Sequence, residues 1–460
     1  MKRLTWILTI VLAMTFTAPP ASAQLLSLNL GGSTGTRLIV RDSLGLTGLN
    51  LTCLLLGCHV QSSLGDPNGQ LFLVTLPSIL NPVLSIAKLL LAPGILGVEI
   101  DQPVNTLGAT ASGSPAYLND RAPVSYYGTT VWDGYVTQPA VSLIRSDATH
   151  STFNATGSGI TVADIDTGVD TASTVLKPFL VNGYDFTRNT AGGNETADVT
   201  QSTVAVLDGS GTQVAAVNQS TVAVLDQSTV AVLDGPPYKA FGHGTMTAGI
   251  IHLVAPQAKI MPLKAFHADG TGYASDVLRA IYYGTAKGAQ VMNMSFDFTI
   301  YSPELRNAIN YATSRGVVCV ASAGNDGQQE IVYPAALPNV IDVASTSNQD
   351  TQSSFTNFGA PPVDLAAPGE GIMSTYPYGT YAAGWGTSFS APLVSGTAAI
   401  LLSQNALQPL HTIGIINPLA EFQAVTSLNN AQPINVQPLN YRRLDVYKAV
   451  QSWRTTLGLQ

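Results

Sequence analysis

Apolar runs alternate with helical patterns through the second half of the chain. Short runs rich in Val, Ile, Leu and Met predict β-strands of the kind that are buried on both faces, at residues 160–165, 259–263, 291–295, 317–321 and 340–344. Longer stretches with helical spacing predict helices at 243–253, 274–287, 303–314 and 388–403. Ser302, Pro303 and Glu304 are typical of a helix start, and Gly316 of a helix stop. This alternation predicts an α/β fold with a parallel β-sheet flanked by helices on both faces.

The first hundred residues predict a separate and smaller unit. Strands are predicted at 38–40, 59–63, 70–76 and 97–101, and helices at 46–56 and 81–91. Their order along the chain is that of a split βαβ, ferredoxin-like α+β unit. Residues 105–130 are rich in Gly, Ala, Ser, Thr and Pro, which is typical of an exposed linker. We therefore predict a small domain at 24–104, a linker with a processing site at 105–130 and a larger domain at 131–455.

Residues 1–23 have the three parts of a secretory signal peptide. Lys2 and Arg3 precede an apolar run at 4–16, and an Ala-Ser-Ala site at 21–23 precedes the predicted cleavage. The apolar run is too short to span a membrane comfortably, and the apolar region at 76–98 is interrupted by prolines and a lysine. The sequence predicts an exported protein, extracellular or periplasmic, with no transmembrane helix.

Composition narrows the class of protein further. The 460 residues are 45% hydrophobic and 10% charged, with a formal net charge of −8. This composition excludes general disorder, and the absence of a basic block argues against a nucleic-acid partner. We expect a monomer that binds neither nucleic acid nor membrane. Cys53 and Cys58 lie close together in sequence, so they could form a disulfide in an exported protein; the alternative is that both remain reduced. Cys319 is predicted to be a buried thiol.

A candidate nucleophile lies in the run Gly-Thr-Ser-Phe-Ser-Ala-Pro at 386–392, which is followed by an apolar stretch at 393–402. The run places the Ser388 hydroxyl at a helix N-terminus, where free N–H groups and the helix dipole favour developing negative charge. Pro392 lacks an N–H and is harmless only in a first turn, so the helix is predicted to begin close to Ser388. An ordinary capped helix has the same local pattern, and a serine nucleophile also needs a base and an orienting group.

Two upstream segments supply those partners. The run Ile-Thr-Val-Ala-Asp-Ile-Asp-Thr-Gly at 160–168 predicts a strand that ends in Asp166, and Phe-Gly-His-Gly-Thr at 241–245 places His243 at a helix start. The motifs Asp-Thr-Gly, His-Gly-Thr and Gly-Thr-Ser-x-x-x-Pro, in this order, resemble those of the subtilisin-like serine proteases, or subtilases. The resemblance covers nearly everything after about residue 135, apart from a repeat insertion at 195–237.

The resemblance implies a serine-type endopeptidase with Asp166, His243 and Ser388 as its catalytic triad. It also implies that Asn325 completes an oxyanion hole with the Ser388 N–H, although Asn-Asp-Gly is an ordinary turn sequence as well. The small N-terminal unit resembles the inhibitory propeptide of the family, which implies a self-processing zymogen; a permanent N-terminal domain is the alternative. No cofactor is required, and structural calcium is left open without assigned ligands.

The resemblance further implies the strand edges that hold an extended polypeptide substrate. They are formed by Gly272, Tyr273, Ser295, Phe296, Asp297, Ser322, Ala323 and Gly324. Asp297 stands where the family usually has glycine, and its carboxylate could favour basic side chains, obstruct the cleft or be a solvated loop acid. Asp164 would share the face of Asp166 on a regular strand, and we interpret it as a structural hydrogen-bonding acid.

An exact eight-residue repeat distinguishes this chain from compact members of the family. Gln-Ser-Thr-Val-Ala-Val-Leu-Asp begins at 201, 219 and 227, with separations too short and irregular for a solenoid. Each copy could form a short strand of a surface hairpin, either as a tolerated insertion or as a surface that shapes substrate or partner binding.

These observations predict a secreted serine endopeptidase made as a zymogen. One alternative is a secreted binding or adhesion protein on an inactive subtilase scaffold, with the repeats as its interaction patch. A second is an acid peptidase of the sedolisin family, whose base is a glutamate; His243 disfavours it.

Overall fold

The structure is a computed structural model that describes residues 35–105, 115–199, 216–217, 222–224, 240–358, 363–405 and 443–459. The described chain divides into two compact units. The first contains residues 35–63 and 68–101, and the second contains residues 64–67 and those from 102 onward. The predicted leader, most of the predicted linker's first half and the first and third repeat copies lie outside the described residues.

The first unit has the predicted order of elements. They are β1 Thr36–Asp42, α1 Gly45–Leu56, β2 His59–Ser63, β3 Leu71–Leu76, α2 Pro82–Leu90 and β4 Ile95–Ile100. The strands form an antiparallel sheet in the order β2-β3-β1-β4, which is the ferredoxin-like arrangement. Its core contains Leu38, Leu49 and Phe72. A disulfide joins Cys53, in the last turn of α1, to Cys58, just after the left-handed Gly57 that ends this helix.

The second unit contains the remaining elements. Its strands are β5 Pro103–Asn105, β6 Pro123–Tyr126, β7 Thr129–Trp132, β8 Thr161–Asp166, β9 Tyr184–Asp185, β10 Thr190–Ala191, β11 Ala216–Val217, β12 Val222–Val224, β13 Lys259–Lys264, β14 Thr271–Tyr273, β15 Val291–Met294, β16 Val318–Ser322, β17 Val340–Thr346, β18 Leu365–Pro368, β19 Ile372–Tyr376 and β20 Thr380–Gly384. Its helices are α3 Asp133–Thr137, α4 Pro139–Ile144, α5 Ser146–Phe153, α6 His243–Val254, α7 Ala274–Ala286, α8 Pro303–Ser314, α9 Thr387–Asn405 and α10 Val446–Thr456.

An eight-stranded sheet organises this unit, in the order β10-β9-β13-β8-β15-β16-β17-β18. All of its strands are parallel except β10, which pairs antiparallel with β9 at the edge. Helices α6 and α9 pack together on the central strands, and α7 and α8 form a second pair on the sheet. The predicted α/β fold with helices on both faces is confirmed, and the predicted strands and helices agree with the observed ones to within a residue or two.

Local chemistry explains where individual helices begin and end. The Ser302 hydroxyl accepts a hydrogen bond from the Leu305 N–H at the start of α8, and Gly316 beyond its end has φ +82°. The last described helix, α10, begins at Val446, because the Asp445 carboxylate caps it by accepting from the Lys448 N–H.

Part of one repeat copy is described. In the second copy, the backbone of β12 pairs antiparallel with β11 on one side and with β20 on the other, as a short hairpin strand. Cys319 is a buried free thiol, as predicted. Within the described ranges, no helix has the length and hydropathy needed to cross a membrane.

Candidate active site

An acid and a histidine meet at the carboxyl end of β8. Asp166 is the last residue of this central strand and accepts a hydrogen bond from the Thr167 N–H at 2.6 Å. His243 is the first residue of α6, and its Nδ1 lies 2.7 and 2.9 Å from the two carboxylate oxygens of Asp166. Gly242 permits this helix start, because it has φ +92° and a Cβ there would lie 2.1 Å from the Tyr376 ring.

The environment of His243 favours its charged form. Burial alone would lower the pKa of the imidazole, but the charge of Asp166 and its hydrogen bond outweigh this effect and raise the pKa above its ordinary value. The other ring nitrogen, Nε2, has no hydrogen-bond partner among the described residues. An imidazole held at Nδ1 and open at Nε2 is the arrangement that a general base requires.

Ser388 lies in the first turn of α9, at the predicted helix start. Its hydroxyl donates to the carbonyl of Ser295 at 3.3 Å, and the ring of the next residue, Phe389, lies 5.5 Å from the His243 ring between centroids. The described residues include no hydrogen bond between His243 and Ser388. The structure therefore forms the acid–histidine contact of the predicted triad but not the histidine–serine contact, which is often long without substrate.

Pro392 is not in the first turn of α9, contrary to the prediction. The helix begins at Thr387, so Pro392 is its sixth residue and cannot donate to the carbonyl four residues earlier, that of Ser388. The Ser295 hydroxyl donates to that carbonyl instead, at 2.9 Å. The lost helical bond is thus replaced by one that connects the start of α9 to the segment after β15.

Asn325 lies beside the start of α9, three residues after the end of β16. Its side-chain oxygen accepts from the N–H of Thr387 at 2.8 Å and from the Thr387 hydroxyl at 3.0 Å. These two bonds fix the orientation of the amide, with its oxygen held by the residue that precedes Ser388.

The predicted substrate edges lie in two places. Gly272 and Tyr273 belong to β14, which already pairs antiparallel with β5, so that Gly272 opposes Val104. Ser295, Phe296, Ser322 and Ala323 are buried, with the Phe296 ring packed 5.1 Å from that of Phe266. Gly324 has φ +94°, and a Cβ there would lie 2.4 Å from the Asn357 amide, so only glycine fits.

Asp297 is half-buried and faces Gly324. A Cβ built on Gly324 would lie 3.5 Å from its carboxylate. Burial, followed by the negative charges of Asp326 and Glu330, raises the pKa of Asp297 to about 7. Among the described residues this carboxylate has no ion pair, and the two charged groups that act on it, Asp326 and Glu330, are both acids.

Glu195 was missed by the sequence reasoning. It lies within the predicted insertion, yet it is fully buried behind the Asp166–His243 pair. One carboxylate oxygen accepts from the Thr167 hydroxyl at 2.5 Å and the Gly242 N–H at 2.7 Å, and the other accepts from the Thr245 hydroxyl at 2.5 Å and N–H at 3.2 Å. Burial raises its pKa to about 7. Glu195 therefore connects the turn after Asp166 to the start of the His243 helix.

Asp164 has the hydrogen-bonding position that the strand pattern predicts. It is buried, and its carboxyl oxygens lie 2.9 Å from Asn293 Nδ2 and 2.9 Å from the Thr247 hydroxyl. As for metal ions, the described part of the chain has no cluster of three or more His, Cys, Asp or Glu side chains able to hold one.

Comparisons with known proteins agree with this fold. A model of the subtilase family matches residues 157–417. Thermitase of Thermoactinomyces vulgaris is 37% identical over 260 residues, which cover 54% of this chain and 77% of thermitase. Subtilisin BL of Lederbergia lenta is 36% identical over 213 residues, 43% of this chain and 79% of that protein.

A solved structure matches over most of the chain. Fervidolysin from Fervidobacterium pennivorans, described as a keratinolytic enzyme related to subtilisin, superposes with a TM-score of 0.66 at 22% identity. The match covers 92% of this chain and 62% of fervidolysin, so it supports the fold alone. Fold and relatives together define a serine-type endopeptidase of the subtilisin-like class. The chain belongs to the subtilase family.

Proposed function

We propose that this chain is a secreted serine endopeptidase that cuts peptide bonds through an acyl-enzyme on Ser388. The observation that carries the proposal is the Asp166–His243 contact at 2.7 Å. Nε2 of the imidazole has no hydrogen-bond partner among the described residues, and the ring lies 5.5 Å from that of Phe389, the residue after Ser388. His243 takes the Ser388 proton and later gives it to the leaving amine, while Asp166 fixes the imidazole tautomer and stabilises its charged form. Water then hydrolyses the acyl-enzyme.

Asn325 Nδ2 and the Ser388 N–H are the proposed oxyanion donors. The two bonds from Thr387 hold the Asn325 amide before substrate arrives, so the donor needs no reorganisation when charge develops on the carbonyl oxygen. Nucleophile, base and oxyanion donors all come from the chain itself, so the proposal requires no cofactor. Removing one such donor typically lowers kcat by a factor of about 10² to 10³.

We also propose that the protein is made as a self-processing zymogen and exported by its leader. The pairing of β5 with β14 supports this, because an extended segment just after the first unit lies along a predicted substrate strand. The ferredoxin-like order of the first unit is consistent with a propeptide. Asp297 is proposed to favour basic substrate side chains, since it lies by Gly324 with its charge unpaired by described residues.

The test compares residues 24–460 with a Ser388→Ala variant of the same chain. Chain size and hydrolysis of an unstructured protein are followed near neutral pH, with Asn325→Ala as a graded variant. We expect only the wild type to shorten itself within residues 105–130 and to digest the substrate at full rate. If wild type and Ser388→Ala both fold and neither cuts, the protease proposal is wrong and the binding-scaffold alternative takes its place.

A further inference from the structure

Another buried carboxyl group, that of Asp164, lies next to the proposed triad. Asp164 precedes Asp166 by two residues on β8, so both side chains leave the same face of the strand. Asp164 is 1% exposed, and the proposed mechanism does not use it. Two acids this close in a buried site do not both ionise readily, because each charge raises the cost of the other.

The neighbours of the two acids identify which one carries the proton. Asp166 accepts the Thr167 N–H and lies 2.7 Å from Nδ1 of the His243 imidazole, a group that can carry a positive charge. Asp164 has only neutral hydrogen-bond partners, Asn293 and Thr247. Burial, followed by the charge of Asp166, raises the pKa of Asp164 to about 8, so it is mainly neutral at pH 7.

A neutral acid has one O–H to donate, and the geometry gives it one acceptor. Asp164 Oδ2 lies 2.9 Å from the Thr247 hydroxyl oxygen, while Oδ1 accepts from Asn293. When Asp164 donates to Thr247, the hydroxyl hydrogen of Thr247 is free to point at Asp166 Oδ2, 3.5 Å away, or at the Gly244 carbonyl, 3.1 Å away. Thr247 lies one turn after His243 on α6, so the contact connects the strand of Asp166 to the helix of His243.

Asn293 extends the same connection to the serine. Its Oδ1 accepts from the Ser395 hydroxyl on α9 at 2.8 Å, and its Nδ2 lies 3.1 Å from the Ser295 hydroxyl. Ser295 in turn donates to the Ser388 carbonyl. A continuous set of buried hydrogen bonds therefore runs from Asp164 to the three elements that carry Asp166, His243 and Ser388.

We propose that Asp164 is a positioning residue of the triad, which as a neutral acid joins β8, α6 and, through Asn293, α9 in one fixed arrangement. The proposal rests on the function proposed above. It predicts that ionisation of Asp164 weakens the arrangement, because a carboxylate can no longer donate to Thr247 and repels Asp166. The titratable groups that face Asp164 are Asp166 on its own strand and His243 on α6, while the neighbours from β15 and α9, Asn293 and Ser395, are neutral.

Four proteins test this inference: wild type, Asp164→Asn, Asp164→Val and Thr247→Val. kcat and KM for a small chromogenic peptide are measured from about pH 5 to 10, with thermal unfolding as a check of folding. Asp164→Asn resembles the neutral acid, so we expect a kcat within about threefold of wild type at neutral pH and the loss of an inflection near pH 8. Asp164→Val and Thr247→Val break the connection, and we expect kcat to fall about tenfold or more with little change in KM.

Two results would overturn the inference. One is an Asp164→Asn enzyme as impaired at neutral pH as Asp164→Val, which means that the ionised carboxylate is needed. The other is an unchanged alkaline limb in Asp164→Asn. If Asp164→Val fails to fold, the pH profile of Asp164→Asn and the kcat of Thr247→Val still decide the matter. Failure of the protease proposal itself is distinguishable, since the wild type would then have no activity to compare.

Discussion

Two buried histidines on the same helix have pKa values that are shifted in opposite directions. His243 begins α6 and His252 lies in its last turn, and both are buried. His243 contacts Asp166, whereas neither ring nitrogen of His252 has a hydrogen-bond partner among the described residues. Burial and the nearby His150 lower the pKa of His252 to about 3, while Asp166 raises that of His243. A charged partner, and not depth in the core, therefore decides whether a buried imidazole of this protein can take up a proton.

Removing the partner of His243 has the largest expected effect. Asp166→Asn removes the charge that raises the pKa of His243 most, so burial should lower that pKa, and the tautomer open at Nε2 should no longer be enforced. We expect kcat to drop by a factor of about 10⁴, measured with a peptide substrate at neutral pH. Asp147→Asn, which removes an exposed acid on α5, is the matched control and should stay near wild type. A loss below tenfold in Asp166→Asn would mean that His243 does not depend on Asp166.

The sequence predicted those local structures of the candidate site that short motifs specify. The strand before Asp166, the helix starts at His243 and Ser388 and the turn of Asn325 all depend on residues within a few positions of each other. The position of Asp164 also followed, because strand alternation alone places it on the face of Asp166.

Contacts between distant segments were not predictable in this way. Glu195 follows Asp166 by 29 residues and belongs to no motif, so only the packed structure connects it to Thr167 and Thr245. The local sequence of α6 does not show that His252 lacks a hydrogen-bond partner, since its neighbours Tyr126 and Phe179 come from other elements. Pro392 is tolerated in the second turn of α9 because the Ser295 hydroxyl, from a distant segment, donates to the Ser388 carbonyl.

Glu195 is a buried acid whose two carboxylate oxygens both accept hydrogen bonds. Glu195→Ala leaves four donors, from Thr167, Gly242 and Thr245, without their acceptor in the core. Each unsatisfied buried group is costly, so we expect the free energy of unfolding to fall by about 3 kcal/mol or more. Urea unfolding in a Ser388→Ala background measures this without self-digestion. Glu195→Gln keeps one acceptor oxygen and should lose less; equal stability of all three proteins would contradict the role.

Replacing His252 has the smallest expected effect, a change in how the free energy of unfolding depends on pH. Its pKa is lowered from 6.5 to about 3 on folding, so between these values the unfolded chain binds the proton and the folded chain does not. Stability from the neutral imidazole is therefore present above about pH 6.5 and is lost as the pH falls, by about 2 kcal/mol at pH 5. His252→Leu cannot bind the proton, so in a Ser388→Ala background its free energy of unfolding should fall less between pH 7 and 5, by about that amount. His59→Leu changes an exposed histidine of the first unit and serves as the control. If the free energy of unfolding depends on pH in the same way in His252→Leu and its parent, His252 takes up its proton in the folded state. Its pKa would then not be lowered by folding, and the difference from His243 would be wrong.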